Sequence, residues 1–163
     1  MKEYSLCTDE NFIHIYQEYK KTVFGIAFNY TRNNSDSNDI VQDVFMKYYI
    51  NKKAFNSDEH IKAWLIRVTI NACKKYLISS WIKKTVPLDE TIPFVDKEDS
   101  EVIKAVMALP KNYRLVVHLY YFEGYSLSEI SSILNTKENT LKVRLMRARN
   151  MLKIKLKEVW LDE

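Results

Sequence analysis

Glycine is the scarcest turn-former in this sequence: Gly25 and Gly124 are the only two in 163 residues, and Pro87, Pro93 and Pro110 are the only prolines. A sheet-rich chain reverses direction every few residues and draws on both types, because glycine reaches positive φ freely and proline presets a turn. Helices with short polar connections need far fewer. The apolar fraction of 47%, with 13% aromatic, suits a packed core rather than disorder. An all-α fold follows, in a chain long enough for one ordinary domain or two small ones.

Apolar periodicity locates the helices. Over about 11–30, Phe12, Tyr16, Tyr19, Val23, Ile26 and Tyr30 recur at alternating helical steps and form one stripe. The run TRNNSDSN then brings in turn formers, with Asp36 as the expected N-cap of a second helix over 37–51 and Asp39 near the positive end of its dipole. That helix is expected to bury Ile40, Val41, Val44, Phe45, Tyr48 and Tyr49 and to expose Asp39, Gln42, Asp43, Met46 and Lys47. A third helix, over 61–84, turns Trp64, Leu65, Val68, Ala72 and Tyr76 inward and leaves Asn71, Lys74 and Lys75 on the other side.

Between 85 and 99 the stripe dissolves into TVPLDETIPFVDKED, whose two prolines and mixed charge read as a flexible linker. Two small helical domains are therefore expected, over 1–84 and 100–163, joined by the linker 85–99. In the second, Leu109-Pro110 marks a helix boundary, KNYRLVVHLYYF is the next helix, and Gly124 suits a left-handed cap. Ser126 and Glu129 form an S-x-x-E capping box for a helix reaching about Leu134, and Asn135 is among the few non-glycine residues that tolerate a left-handed turn. Beyond it Leu141, Leu145, Ala148, Leu152 and Leu156 make a stripe. Two short helices about a tight turn, the second apolar on one side and cationic on the other, form a helix-turn-helix.

Charge singles out the same segment. Residues 1–99 hold 14 basic and 14 acidic side chains and residues 100–163 hold 11 and 7, so the whole net charge of +4 lies in the C-terminal part. Within 137–157 eight cations accompany one acid, Glu138, the footprint of a polyanion-binding surface. In a helix-turn-helix the second helix enters the major groove, with its early residues against base edges. Asn139, Thr140, Lys142, Val143, Arg144 and Arg147 occupy those positions: arginine and lysine bond guanine, asparagine bonds adenine, and valine meets a thymine methyl. Lys137, Arg149 and Lys153 suit phosphate contacts. A lone basic helix is often no more than a solvated face, and a membrane-surface helix also pairs a basic with an apolar side. The capping box, the turn residue and a Leu/Ala stripe at core spacing favour DNA.

Other classes find little support. Cys7 and Cys73 are too few for a disulfide framework or a thiolate zinc site, and Cys73 reads as a core residue. His14, His60 and His118 are scattered without metal-ligand spacing, two glycines cannot build a phosphate loop, and an exposed Asp39/Asp43 pair is ordinarily solvated, so neither an enzyme, a metal nor a cofactor is expected. MKEYSLCTDE is no signal peptide, and no apolar run approaches the ~20 residues of a membrane span. A cytoplasmic protein without membrane insertion is the expectation.

The segment LPKNYRLVVHLYYFEGYSLSEISSILNTKENTLKVRLMRARNML closely resembles the C-terminal domain of bacterial RNA polymerase sigma factors. DSNDIVQDVFMKYY resembles their core-polymerase-binding helix and AWLIRVTINACKKYLIS their promoter-melting helix, so that from about Phe12 to Lys155 the chain resembles the compact extracytoplasmic-function (ECF) group. The resemblance implies a core RNA polymerase surface at Asp36, Asp39, Gln42 and Asp43. It implies minus-ten contacts at Asn71, Lys74 and Lys75, with a loop starting at Phe55, Asn56, Ser57 and Asp58 and reaching His60 that captures a base flipped from the melted non-template strand. Minus-thirty-five duplex contacts would fall to Lys137, Asn139, Thr140, Lys142, Val143, Arg144, Arg147 and Arg149. An anti-sigma factor is the implied regulator. Some positions differ from the family: Lys75 stands where an acid is common, Asn135 replaces the turn glycine, Ser131 replaces a small alanine, and Thr136 is placed to cap the recognition helix. The competing reading is a helix-turn-helix regulator of duplex operator DNA whose N-terminal helices sense or dimerise. It leaves Asp36–Asp43 and the Asn71 region without a joint role.

Overall fold

A computed structural model describes residues 8–51, 53–83 and 100–161. Their regular structure is helical throughout: α1 (Asp9–Thr31), α2 (Asn34–Ile50), α3 (Asp58–Lys83), α4 (Ser100–Met107), α5 (Lys111–Val117) with a π-helical turn (His118–Phe122), α6 (Leu127–Leu134) and α7 (Glu138–Leu161). The chain divides into two compact units, Met1–Thr91 and Ile92–Glu163. The division falls within the expected linker 85–99, which lies outside the described residues, as does Cys7.

The first unit packs α1, α2 and α3 on one another around Val23, Ile26, Val44, Phe45, Leu65 and Ile66. Each such side chain contributes about 1.5–3 kcal/mol by leaving water. Two expectations change here. The N-cap of α2 is Asn33, whose side chain accepts the Asp36 N–H at 2.9 Å, and Asp36 sits within the first turn of the helix. Ser37 decides this: fully buried, its hydroxyl lies 2.7 Å from that of Thr31, which draws the helix start back to Asn34. Tyr49 is 45% exposed, its ring edge-on to Phe12 and its hydroxyl donating to Asp9 Oδ1.

On α3, of the inward set expected from sequence only Leu65 is fully buried; Trp64, Val68, Ala72 and Tyr76 are half-buried. The core line is Ile61, Leu65, Ile66, Thr69, Ile70 and Cys73, with the Thr69 hydroxyl satisfied by the Leu65 carbonyl at 2.6 Å. With two neighbours to cover, α3 buries a wider arc than a single stripe.

In the second unit α4, α5 and α6 all pack on α7. Arg114 is buried and donates to the carbonyls of Met107 and Leu109, satisfying backbone groups left open where α4 ends. The capping box forms in full: Ser126 Oγ accepts the Glu129 N–H and Glu129 Oε1 accepts the Ser126 N–H. Gly124 (φ +75°) and Asn135 (φ 50°) adopt the left-handed conformation expected of them. Thr136 does not cap α7; its hydroxyl donates back to Leu134, while Ser131 donates to the Thr136 carbonyl at 2.6 Å. The serine thus adds a tie across the turn that an alanine cannot make.

Candidate acidic groove and nucleic-acid interface

Because α2 begins at Asn34, its exposed face runs along the seam with α3. Asp36, Asp39, Asp43 and Lys47 of α2 line a groove with Lys75, Tyr76 and Ser79 of α3. Asp36 accepts the Tyr76 hydroxyl proton at 2.5 Å, and Asp43 pairs with Lys47 at 3.0 Å. Burial, and then the bond to Asp36, push the Tyr76 phenol well above its ordinary range. Gln42 and Asp39 are exposed beside them. The groove therefore brings together three of the four α2 residues expected from sequence, Asp36, Asp39 and Asp43, leaves Gln42 outside its lining, and adds Tyr76.

The residues expected to meet a melted strand divide by exposure. Asn71, Lys74 and Lys75 are exposed on α3, and Asn56 is exposed in the preceding loop. Phe55 is only 8% exposed, its ring packed against Tyr48, His60 and Trp64. It is a floor for the loop, buried among Tyr48, His60 and Trp64. Ser57 caps the start of α3 by accepting the His60 N–H, and His60 Nδ1 accepts the Asn56 N–H, so the loop is shaped by a histidine whose role no spacing rule reveals.

On α7, Leu141, Leu145 and Ala148 are buried, which turns the remaining sides outward. Lys137, Asn139, Thr140, Lys142, Val143, Arg147 and Arg149 are exposed, and Arg144 is half-buried at the edge of the packed face. Lys142, Arg144 and Arg147 have no carboxylate partner among the described residues. Arg149 donates through Nε to the Tyr121 hydroxyl, which, ahead of smaller contributions from Tyr120, raises the guanidinium pKa further. Tyr120 and Tyr121 were not legible as site residues, since the π-helical turn moves them out of the register that a regular helix sets.

A tight turn between the short α6 and the long α7, which bears exposed cations, defines the second unit as a helix-turn-helix DNA-binding domain. Comparison with known proteins narrows the class. The model for sigma-70 region 2 matches residues 15–81 and that for sigma-70, region 4 matches residues 99–152. RNA polymerase sigma factor SigV of Bacillus subtilis (strain 168) is 31% identical over 145 residues, covering 85% of this chain and 87% of that protein. The ECF RNA polymerase sigma factor SigM of the same organism is 31% identical over 151 residues, covering 85% and 91%. In fold, the chain is similar to the sigma factor RpoE solved with the anti-sigma factor NepR from Bartonella quintana, with a TM-score of 0.76 over 91% of this chain and 98% of that one at 21% identity. The chain belongs to the ECF group of RNA polymerase sigma factors: it is an alternative sigma factor. No helix among the described residues is long and apolar enough to cross a membrane.

Proposed function

We propose that the two units divide the work of this sigma factor, with the α2–α3 groove holding core polymerase, α3 and its preceding loop engaging the melted minus-ten strand, and α7 reading the minus-thirty-five duplex. The observation that supports this is a difference in charge: three carboxylates and two lysines line one groove of the first unit, whereas the exposed cations of the second gather on one helix with few acids. Cations that approach phosphates gain from counterion release, and carboxylates in a groove attract a basic partner. The domains are taken as 1–84 and 100–163 with 85–99 between them. The subunit acts without catalysis of its own, in the cytoplasm where polymerase works, and an anti-sigma factor is its regulator; RpoE, similar in fold, was solved in complex with the anti-sigma factor NepR.

The deciding experiment is co-elution with core RNA polymerase beside an Asp39→Ala/Asp43→Ala variant. Stable co-elution that the double substitution weakens is expected. Equal co-elution of the two would move the polymerase surface elsewhere, and none by the folded wild type would leave the operator-binding regulator.

A further inference from the structure

Arg149 differs from the other cations of α7 in being held. Its Nε–H donates to the Tyr121 hydroxyl at 2.5 Å, and its guanidinium carbon lies 5.5 Å from the Tyr121 ring centroid and 5.8 Å from that of Tyr120. The two rings meet edge-to-face at 4.9 Å, so they form one platform. An exposed arginine samples many rotamers, and these contacts reduce in advance what binding must remove.

The platform exists because α5 runs into the π-helical turn. There the Glu123 N–H bonds the carbonyl of His118, five residues back, and the extra residue shifts everything beyond it around the axis. Tyr121 and Phe122 emerge 52% exposed just after the buried residues Arg114, Leu115, Val116, Val117 and Leu119. Single π turns concentrate at functional sites. On α7, Lys142, Arg149 and Lys153 stand at i, i+7 and i+11, which places them along one flank, with Arg149 in the middle.

We infer that Tyr121, supported by Tyr120, is a positioning residue that presents the Arg149 guanidinium to a phosphate at the edge of the major groove. Tyr121 occupies one of the five guanidinium donors, and the fork that remains suits two phosphate oxygens. The Tyr121 hydroxyl accepts from Arg149 and thereby fixes the direction of the guanidinium, so its effect on the anion runs through the arginine. The inference rests on α7 as the DNA-reading helix and adds to it a contact from outside the helix-turn-helix.

The test uses holoenzyme reconstituted from core polymerase and the full chain, with a promoter duplex selected by the wild-type holoenzyme from a randomised library. Affinity is measured against salt for Tyr121→Phe, Arg149→Ala, the pair combined, and Arg144→Ala. Tyr121→Phe keeps the ring and is expected to weaken binding several-fold with an unchanged salt slope, since the charge remains. Arg149→Ala is expected to flatten the slope by about 0.9, one phosphate contact. The combined variant should bind like Arg149→Ala alone, because the tyrosine acts through the arginine. Wild-type affinity in Tyr121→Phe, full additivity of the two losses, or an unchanged slope in Arg149→Ala each overturns the inference. Wild-type binding by Arg144→Ala would instead overturn the reading of α7 itself.

Discussion

Helices α2 and α7 both present charge outward, yet they do so under opposite constraints. On α2 the carboxylates come with attachments: Asp36 is tied to Tyr76 of the neighbouring helix and Asp43 to Lys47 one turn on. On α7 Lys142, Arg144 and Arg147 carry no carboxylate partner among the described residues. A groove seated between two packed helices can order its side chains before a partner arrives, which suits a protein surface of fixed shape. A cation that follows a phosphate backbone gains from reach, and on α7 Arg149 is the one tied to a neighbouring ring among the described residues. The difference is one of neighbours. A seam supplies partners to α2, whereas among the described residues of α7 Lys142, Arg144 and Arg147 lie outside any such seam.

The comparison breaks first at the packing beneath the charges. Leu141→Ala empties a fully buried position under α7 and is expected to cost about 2–5 kcal/mol of stability in the second unit, seen as a lower first melting transition in calorimetry. Arg147→Ala leaves the fold alone and is expected to cost about 1–3 kcal/mol of minus-thirty-five binding while polymerase co-elution persists; loss of co-elution would erase the contrast between the helices.

Within α2 the attachments themselves can be ranked. Asp36→Ala strands the Tyr76 hydroxyl and is expected to cost about 1–2 kcal/mol in denaturant titration, reduced from a buried charged bond because both groups are half-exposed. Asp43→Ala removes only a surface pair and should change stability by about 0.5 kcal/mol or less. If the two variants lose equally, the seam contributes nothing special.

A pH effect sharpens the same point in the first unit. Burial, with Cys73 adding to it, pushes the Tyr30 phenol up to about 12 from an ordinary 10.0. A raised folded pKa means that the native state keeps its proton while the unfolded chain has lost it. Stability is therefore full below pH 10.0 and falls as pH rises toward about 12. Tyr30→Phe should flatten that alkaline loss in a pH series of urea melts.

Two left-handed residues show how legibility in the sequence depends on side-chain chemistry. Asn135 (φ 50°) announces its turn, because asparagine is among the few types that adopt this conformation readily. Arg32 (φ 51°) has the same backbone and no such signature. It is held by its surroundings: its N–H bonds the Phe28 carbonyl, and beside it Thr31, Asn33 and Ser37 close the turn through their hydroxyls and carbonyls. TRNNSDSN likewise offers several capping residues in succession, and only the buried Thr31–Ser37 pair selects Asn33 over Asp36.

Local chemistry was sufficient for the all-α class, the capping box at Ser126 and Glu129, the turn at Asn135 and the outward cations of α7, because each depends on residues within a turn or two of one another. Contacts between distant segments were decided by tertiary packing. Phe55 became a floor because Tyr48 and Trp64 close on it, Asp36 acquired Tyr76 40 residues away, and Arg149 acquired Tyr121 28 residues away. Periodicity reports which side of a helix is apolar. Which neighbour lies against that side, and in what register after a π-helical turn, is set only when the helices meet.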